Sequence, residues 1–244
     1  MSGKRQKKSN LWLAAAITAA CLIAAGIFFL TRGEATPTPG TVPEEPESSD
    51  LSVENLETAG VALPEGLVIN DIGSYTGLYM EDGSDEILSK ILMLVVTNTA
   101  KKTVQYAEIT LTDGAETAHF TLTTLPPGES AVLLEQNRMS YEDGKNLTQA
   151  NAQNVAHFPQ EPTLCEDKLD LQALDGMLNV TNVSGEDITG NIAVYYKNAS
   201  SDMLYGGITY RVTISGGLKA GEIRQITASH FSAAGSRIMF ATVS

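Results

Sequence analysis

The sequence is short of the side chains on which most chemistry depends. Its 244 residues include two cysteines, one tryptophan and three histidines. Cys21 lies inside an apolar run, which leaves Cys165 alone in the rest of the chain. One thiol cannot form an intrachain disulfide, so a disulfide scaffold is excluded. Cys165 is expected as a small buried hydrophobe; a bridge between two chains is the alternative. His119, His157 and His230 stand in no catalytic motif. A serine or cysteine nucleophile needs an orienting base, and no G-x-S-x-G supplies one. No glycine loop of the phosphate- or dinucleotide-binding type occurs. Scattered histidines and a single cysteine lack the clustering of a zinc site. Trp12 is also in the apolar run, so tryptophan platforms for sugars are missing outside it. No catalytic residue, cofactor or metal is expected, and the chain reads as a non-enzyme.

Positive charge is also scarce. There are 16 Lys+Arg against 29 Asp+Glu, a formal net charge of −13. Four of the bases and none of the acids lie in residues 1–30, so the remainder holds 12 bases and 29 acids, net −17. Such a surface disfavours nucleic acid and anionic lipid as partners. It allows weak association with cations or basic surfaces.

What is present begins with "LWLAAAITAACLIAAGIFFL", residues 11–30, without a charge. Twenty helical residues at about 1.5 Å each span roughly 30 Å, the thickness of a bilayer core. "GKRQKK" precedes it, and basic flanks stay in the cytoplasm. Residues 1–10 are therefore expected as a cytoplasmic tail, 11–30 as one transmembrane helix, and the bulk of the chain outside the cell membrane. Cleavage after Ala35 is the alternative, although a signal peptide usually has a shorter apolar core. Residues 31–66, with "ATPTPGTVPEEPESSD", read as an extended stalk rich in Pro, Glu and Thr.

Beyond the stalk the period changes to two. In "TVQYAEITL", Ala107, Ile109 and Leu111 alternate with Tyr106, Glu108 and Thr110; in "GITYRVTI", Ile208, Tyr210, Val212 and Ile214 alternate with polar neighbours. Many short runs of this kind predict a mainly β chain built as antiparallel β-sandwiches. An internal repeat divides them. "LVVTNTAKKTVQYAEITL" followed by "LPPGESAVLL" matches "LNVTNVSGEDITGNIAVYY" followed by "LKAGEIRQI", pairing Asn98 with Asn182 and Gly128 with Gly221. Two tandem modules are expected, over 67–137 and 163–244, the second able to fold alone. Residues 138–162 would connect them, with a short helix near "LTQANAQNVA" or a loop across both. This pattern resembles the small immunoglobulin-like modules of single-pass surface proteins of Gram-positive bacteria. The second half is distantly similar to the FxLYD family through "NVTNVSGEDITGNIAVYY", with Val194, Tyr195 and Tyr196 where the family's named Phe and Asp would stand. The resemblance implies an Ig-like fold and a cell-envelope location, not a reaction.

Two motifs ask for a role. Asn-x-Ser/Thr occurs at Asn146, Asn179, Asn182 and Asn198, which would be glycan acceptors only in a eukaryotic secretory protein. "YMEDGSDEIL", residues 79–88, places Glu81, Asp82, Ser84, Asp85 and Glu86 on one glycine-centred turn before the apolar "ILMLVV". Calcium favours several such oxygens, which makes Asp82, Asp85 and Glu81 its candidate ligands. The EF-hand spacing is absent, however, and a charged turn that keeps a sticky strand in solution is the plainer reading. The function expected is non-catalytic binding or scaffolding of an envelope protein partner. A spacer subunit of a larger assembly, or an enzyme with an unrecognised site, is the alternative.

Overall fold

The computed structural model describes residues 60–113, 116–141 and 149–244. The expected cytoplasmic tail, the transmembrane segment and nearly all of the stalk lie outside these residues. Among the described residues no helix is long and apolar enough to cross a membrane.

The described chain is mainly β, with thirteen strands and a single 3-10 turn at Pro64–Gly66. The strands are β1 (Val61–Ala62), β2 (Leu67–Leu78), β3 (Ile87–Asn98), β4 (Val104–Asp113), β5 (Glu116–Leu125), β6 (Ser130–Leu134), β7 (Gln149–His157), β8 (Leu169–Leu174), β9 (Met177–Asn182), β10 (Ile192–Ser200), β11 (Met203–Ile214), β12 (Ile223–Thr227) and β13 (Ser236–Val243). They form a seven-stranded sheet ordered β1-β2-β3-β6-β11-β10-β13 and two three-stranded sheets, β5-β4-β7 and β12-β9-β8.

The internal repeat is visible strand by strand. Sheet segment β2-β3-β6 and sheet β5-β4-β7 enclose one core, which includes Leu67, Leu94, Ile109, Phe120, Leu122 and Leu133. Sheet β8-β9-β12 and segment β11-β10-β13 enclose a second, which includes Leu178, Val180, Val194, Tyr196 and Ile214. Strands β2 to β7 thus correspond in order to β8 to β13. The paired landmarks have the same contacts. Asn98 is buried, and its Nδ2 donates to Lys102 O (2.9 Å) and Leu125 O (2.8 Å), while its Oδ1 accepts from Ala100 N (2.9 Å). Asn182 is buried, and its Nδ2 donates to Glu186 O (2.7 Å) and Leu218 O (3.0 Å), while its Oδ1 accepts from Ser184 N (3.0 Å). Gly128 N donates to Asn98 O, and Gly221 N to Asn182 O. Both glycines have positive φ, 76° and 72°, the left-handed region in which a Cβ is unfavourable.

The alternation read in β4 holds: Ala107, Ile109 and Leu111 are buried, and Tyr106, Glu108 and Thr110 are half-exposed. The unbroken "ILMLVV" of β3 has a different cause. Leu92, Leu94 and Val96 join the first core, whereas Ile91 and Met93 pack on the opposite face with Tyr75, Tyr79, Met80, Val132 and Leu134. A strand covered on both faces loses its alternation.

Three differences from the expected organisation follow from packing. Residues 149–157 are strand, not helix, and they belong to the first core rather than to a connector. Alanine and glutamine favour helix locally, but Ala150 and Ala152 face the core at period two and β7 pairs with β4, so tertiary contacts decide. The folded part starts before Leu67, because Val61 and Leu63 pack into the first core and β1 pairs with β2. Finally, the two halves share one sheet. β6 pairs in parallel with β11, Ser130 to Met203, Ala131 to Leu204 and Val132 to Tyr205. Leu204, from the second repeat, is buried in the first core.

Candidate functional site

The acidic turn sits where the two repeats meet. Leu78 and Ile87 are the last paired residues of the β2–β3 hairpin, and Tyr79 N donates to Glu86 O (2.7 Å) to close the loop. Within it, Asp82 Oδ1 accepts from Ser84 N (2.8 Å), and Gly83 has φ 68°. This is the Asx-turn that Asp-Gly sequences favour. Arg138, from the segment after β6, reaches Asp82 Oδ2 (2.9 Å) and Glu86 Oε2 (2.8 Å), with its guanidinium 4.9 Å from the Tyr79 ring centre. Bonds from Ser84, followed by those from Arg138, hold the Asp82 carboxyl below its ordinary range.

On the other side of the turn stands the second repeat. Asp85 Oδ1 lies 3.3 Å from His230 Nδ1. The His230 ring stacks on Tyr210 (4.8 Å), Tyr210 stacks on Tyr196 (5.3 Å), and Phe231 meets Tyr196 edge-on (5.2 Å). This ladder leads from the turn into the second core. Burial, then the charge of Asp85, pushes the Tyr210 phenol up to about 12.

Glu81 points the opposite way from its neighbours. Its Oε1 accepts from Leu134 N (2.9 Å) and from Gly207 N (2.9 Å), which also reaches Oε2 (2.9 Å). One carboxylate therefore ties the end of β6 to β11. Desolvation raises its pKa, and the N–H donors and the Lys197 charge pull it back. Lys197 is fully buried. It is paired with Arg237 of β13, while β11 carries four residues, Gly206 to Thr209, against Lys197 alone. The irregularity is on β11, and Lys197 stays on the face of β10 opposite Tyr196, where β5 of the first repeat covers it. Its Nζ donates to Thr123 O (2.8 Å) and Gly207 O (3.1 Å). Burial brings its pKa down to about 7, against the opposing pull of Glu81. Thr123 Oγ1 also donates to Gly207 O (2.7 Å). Gly207 must be glycine, because a Cβ there would collide with the Thr121 carbonyl oxygen. Gly206 beside it has φ 82°.

No family model and no curated protein sequence matches the chain. The chemistry of the site therefore rests on the residues themselves.

The three calcium candidates do not converge. Asp82 is taken by Arg138, Asp85 faces His230, and Glu81 is turned inward onto backbone amides. Among the described residues no group of three or more His, Cys, Asp and Glu side chains is placed to hold a metal. His119 is exposed on the outer side of β5, and His157 lies at the end of β7. Cys165 is half-buried against the second core, with its thiol donating to Ala241 O (3.3 Å). Asn146 lies outside the described residues. The Asn182 amide is committed to its turn, and Asn179 Oδ1 accepts from Gln225 (3.1 Å).

What sequence reading missed is the inward pair. Lys197 follows Tyr196 in an alternating strand, so period two assigns it to the outer face; that face is buried here because Thr123 of β5 and Gly207 of β11 lie against it. The adjacent Gly206 and Gly207 were the available signal, since a glycine pair inside a strand marks a bulge or a close backbone approach.

Proposed function

We propose that the chain is a non-catalytic protein of the cell envelope. It is anchored by one pass through residues 11–30, N-terminus in the cytoplasm, and presents two immunoglobulin-like repeats outside as a binding or scaffolding unit. One observation carries this reading. Leu78 and Ile87, cross-strand neighbours at the tip of the β2–β3 hairpin, are 48% and 76% exposed. The turn beyond them is fastened to both repeats through Arg138, His230 and Glu81. An exposed apolar pair on a rigidly held tip is what a contact surface needs, and a mere spacer has no use for it. The net charge of the part beyond residue 30 supports a solvated, extracytoplasmic setting.

The test uses the intact membrane form. A photo-crosslinker at position 87 should give discrete adducts to a protein partner, lost when Leu78 is replaced by Asp, and a membrane-impermeant label should reach the same position from outside. A position-87 probe that gives no adduct, or that is labelled only from the cytoplasm, contradicts the proposal.

A further inference from the structure

The outer face of sheet β5-β4-β7 carries an open cleft of about 370 Å3 whose lining includes Tyr106, Glu108, Thr110, Thr121, Gln136 and Gln153. Its centre is Glu108. Oε1 accepts from Tyr106 OH (2.8 Å), and Oε2 accepts from Asn154 Nδ2 (2.8 Å) and Gln153 Nε2 (3.3 Å). These donors are neutral. Bonds from Tyr106 and Asn154 hold the carboxyl below its ordinary range, so it is an anion. Asp82 and Glu86 share Arg138, Glu129 has Arg237, and Glu222 has Arg224. Among the described residues no lysine or arginine plays that part for Glu108; His119, which also lines the cleft, adds a weaker attraction and is not hydrogen-bonded to it.

The donors are placed deliberately. The β4–β7 register shifts between Tyr106 and Glu108, so β7 carries an extra residue there, and Asn154 has φ 54°. Bulges of this kind re-aim side chains, and a left-handed asparagine inside a strand is uncommon enough to suggest a use. The corresponding face of the second repeat is closed: on β10 and β13, Tyr195 stacks on Phe240 (4.1 Å), and Phe158 meets that ring edge-on (5.3 Å). The cleft thus belongs to the first repeat alone.

We propose that this cleft binds the ammonium group of a lysine side chain on a basic partner peptide. A carboxylate offers about four lone-pair positions. Two on Oε2 and one on Oε1 are filled, which leaves one, on Oε1. A guanidinium needs both oxygens for its parallel fork, so arginine is disfavoured. An ammonium is a point charge with three rotatable donors and fits a single open position. Further acceptors line the cleft: Gln136 turns its Nε2 to Thr121 Oγ1 and Gln153 its Nε2 to Glu108, and each amide also carries an oxygen that can accept. The strong excess of acid over base in the chain draws a basic partner in. β7 is the terminal strand of its sheet, the kind of strand that an extended peptide can join.

This inference rests on the reading that the protein binds a partner, and it names that partner's chemistry. The experiment titrates an acetylated, amidated pentapeptide with one central lysine into the full chain in detergent micelles, followed by amide chemical shifts. Peptides with arginine or norleucine at the centre are the comparison. Saturable shifts in β4 and β7 with the lysine peptide are expected, with at least five-fold weaker binding of arginine and none of norleucine. Glu108→Gln should weaken the lysine peptide at least ten-fold with an unchanged melting temperature. If that variant does not fold, Thr110→Lys, which supplies an ammonium from within the chain, should abolish binding instead. Equal binding of lysine and arginine, or full binding by whichever variant folds, overturns the proposal. Failure here with the position-87 adducts intact removes only the cleft, not the binding function.

Discussion

Replacing Lys197 by methionine removes the ammonium from the seam and keeps most of the apolar stem. Two carbonyls, Thr123 O and Gly207 O, lose a donor. Gly207 O keeps Thr123 Oγ1, so the cost falls mainly on Thr123 O, and a buried acceptor left unsatisfied costs about 1–3 kcal/mol. Glu81 loses an opposite charge that favours its ionised form. Against this, methionine carries no desolvation penalty, and that penalty is large enough to bring the lysine down to about 7. The balance is a loss of about 2–4 kcal/mol near pH 7. Adding Glu81→Gln should restore part of it, with a coupling of roughly 0.5–3 kcal/mol, because the unpaired carboxylate goes too. The pH dependence has a definite sign. Between about pH 7 and the ordinary lysine value of 10.5, the unfolded chain binds the proton that folded Lys197 has lost. Stability therefore rises with pH across that window. Glu81 is raised, so its term has the opposite sign and falls as pH climbs from the ordinary glutamate value of 4.5 through its folded value. Tyr79 and Tyr210, both pushed up to about 12, lose stability only above about pH 10. Urea denaturation from pH 7 to 10 should show the rise in the native chain and its disappearance in Lys197→Met. A variant at least as stable as the native chain at pH 7, with the rise intact, would refute the role given to Lys197.

Other expectations follow from the same contacts. Asp82→Asn with Asp85→Asn should change stability by about 1 kcal/mol or less at moderate salt, since both partnerships are exposed, and millimolar calcium should leave the melting temperature in place; a rise of several degrees abolished by the pair would assign them as ligands. Asn98→Ala and Asn182→Ala should each cost about 1–3 kcal/mol, with the Asn182 loss the smaller, because Leu218 O keeps Ile188 N and Glu186 O keeps Ser184 Oγ as donors; denaturant midpoints check this. A fragment of residues 163–244, expected from sequence to fold alone, should be less stable than its half of the intact chain and should self-associate on size exclusion, because it bares the 203–205 edge and leaves Lys197 without Thr123 O.

The parts legible in sequence are those governed by local rules. The faces of β4 follow from period two, and the repeat is readable because both copies need the same Asn turn and the same positive-φ glycine. The terminus of the folded region was misplaced because "VALPEGL" sits beside a proline-rich stretch, and composition hides the burial of Val61 and Leu63. β7 was missed because alanine and amide side chains carry no strand preference until β4 pairs with them. The acidic turn was read as one object by composition, yet its carboxylates go to three different partners, which only the third dimension sorts. The shared sheet could not be read at all: the β6–β11 contact joins residues about seventy apart through three backbone pairs, and backbone pairing leaves little trace in side-chain pattern.

The central claim is that the β6–β11 pairing and the inward Glu81 and Lys197 make the two repeats one cooperative unit. Native-state hydrogen exchange on the intact chain, followed as denaturant is raised, tests it most directly. The slowest amides of both repeats should converge on one unfolding free energy, with residues 130–134 and 203–207 among the protected. Two separate unfolding free energies, with 130–134 and 203–207 exchanging early as open edges, would contradict it.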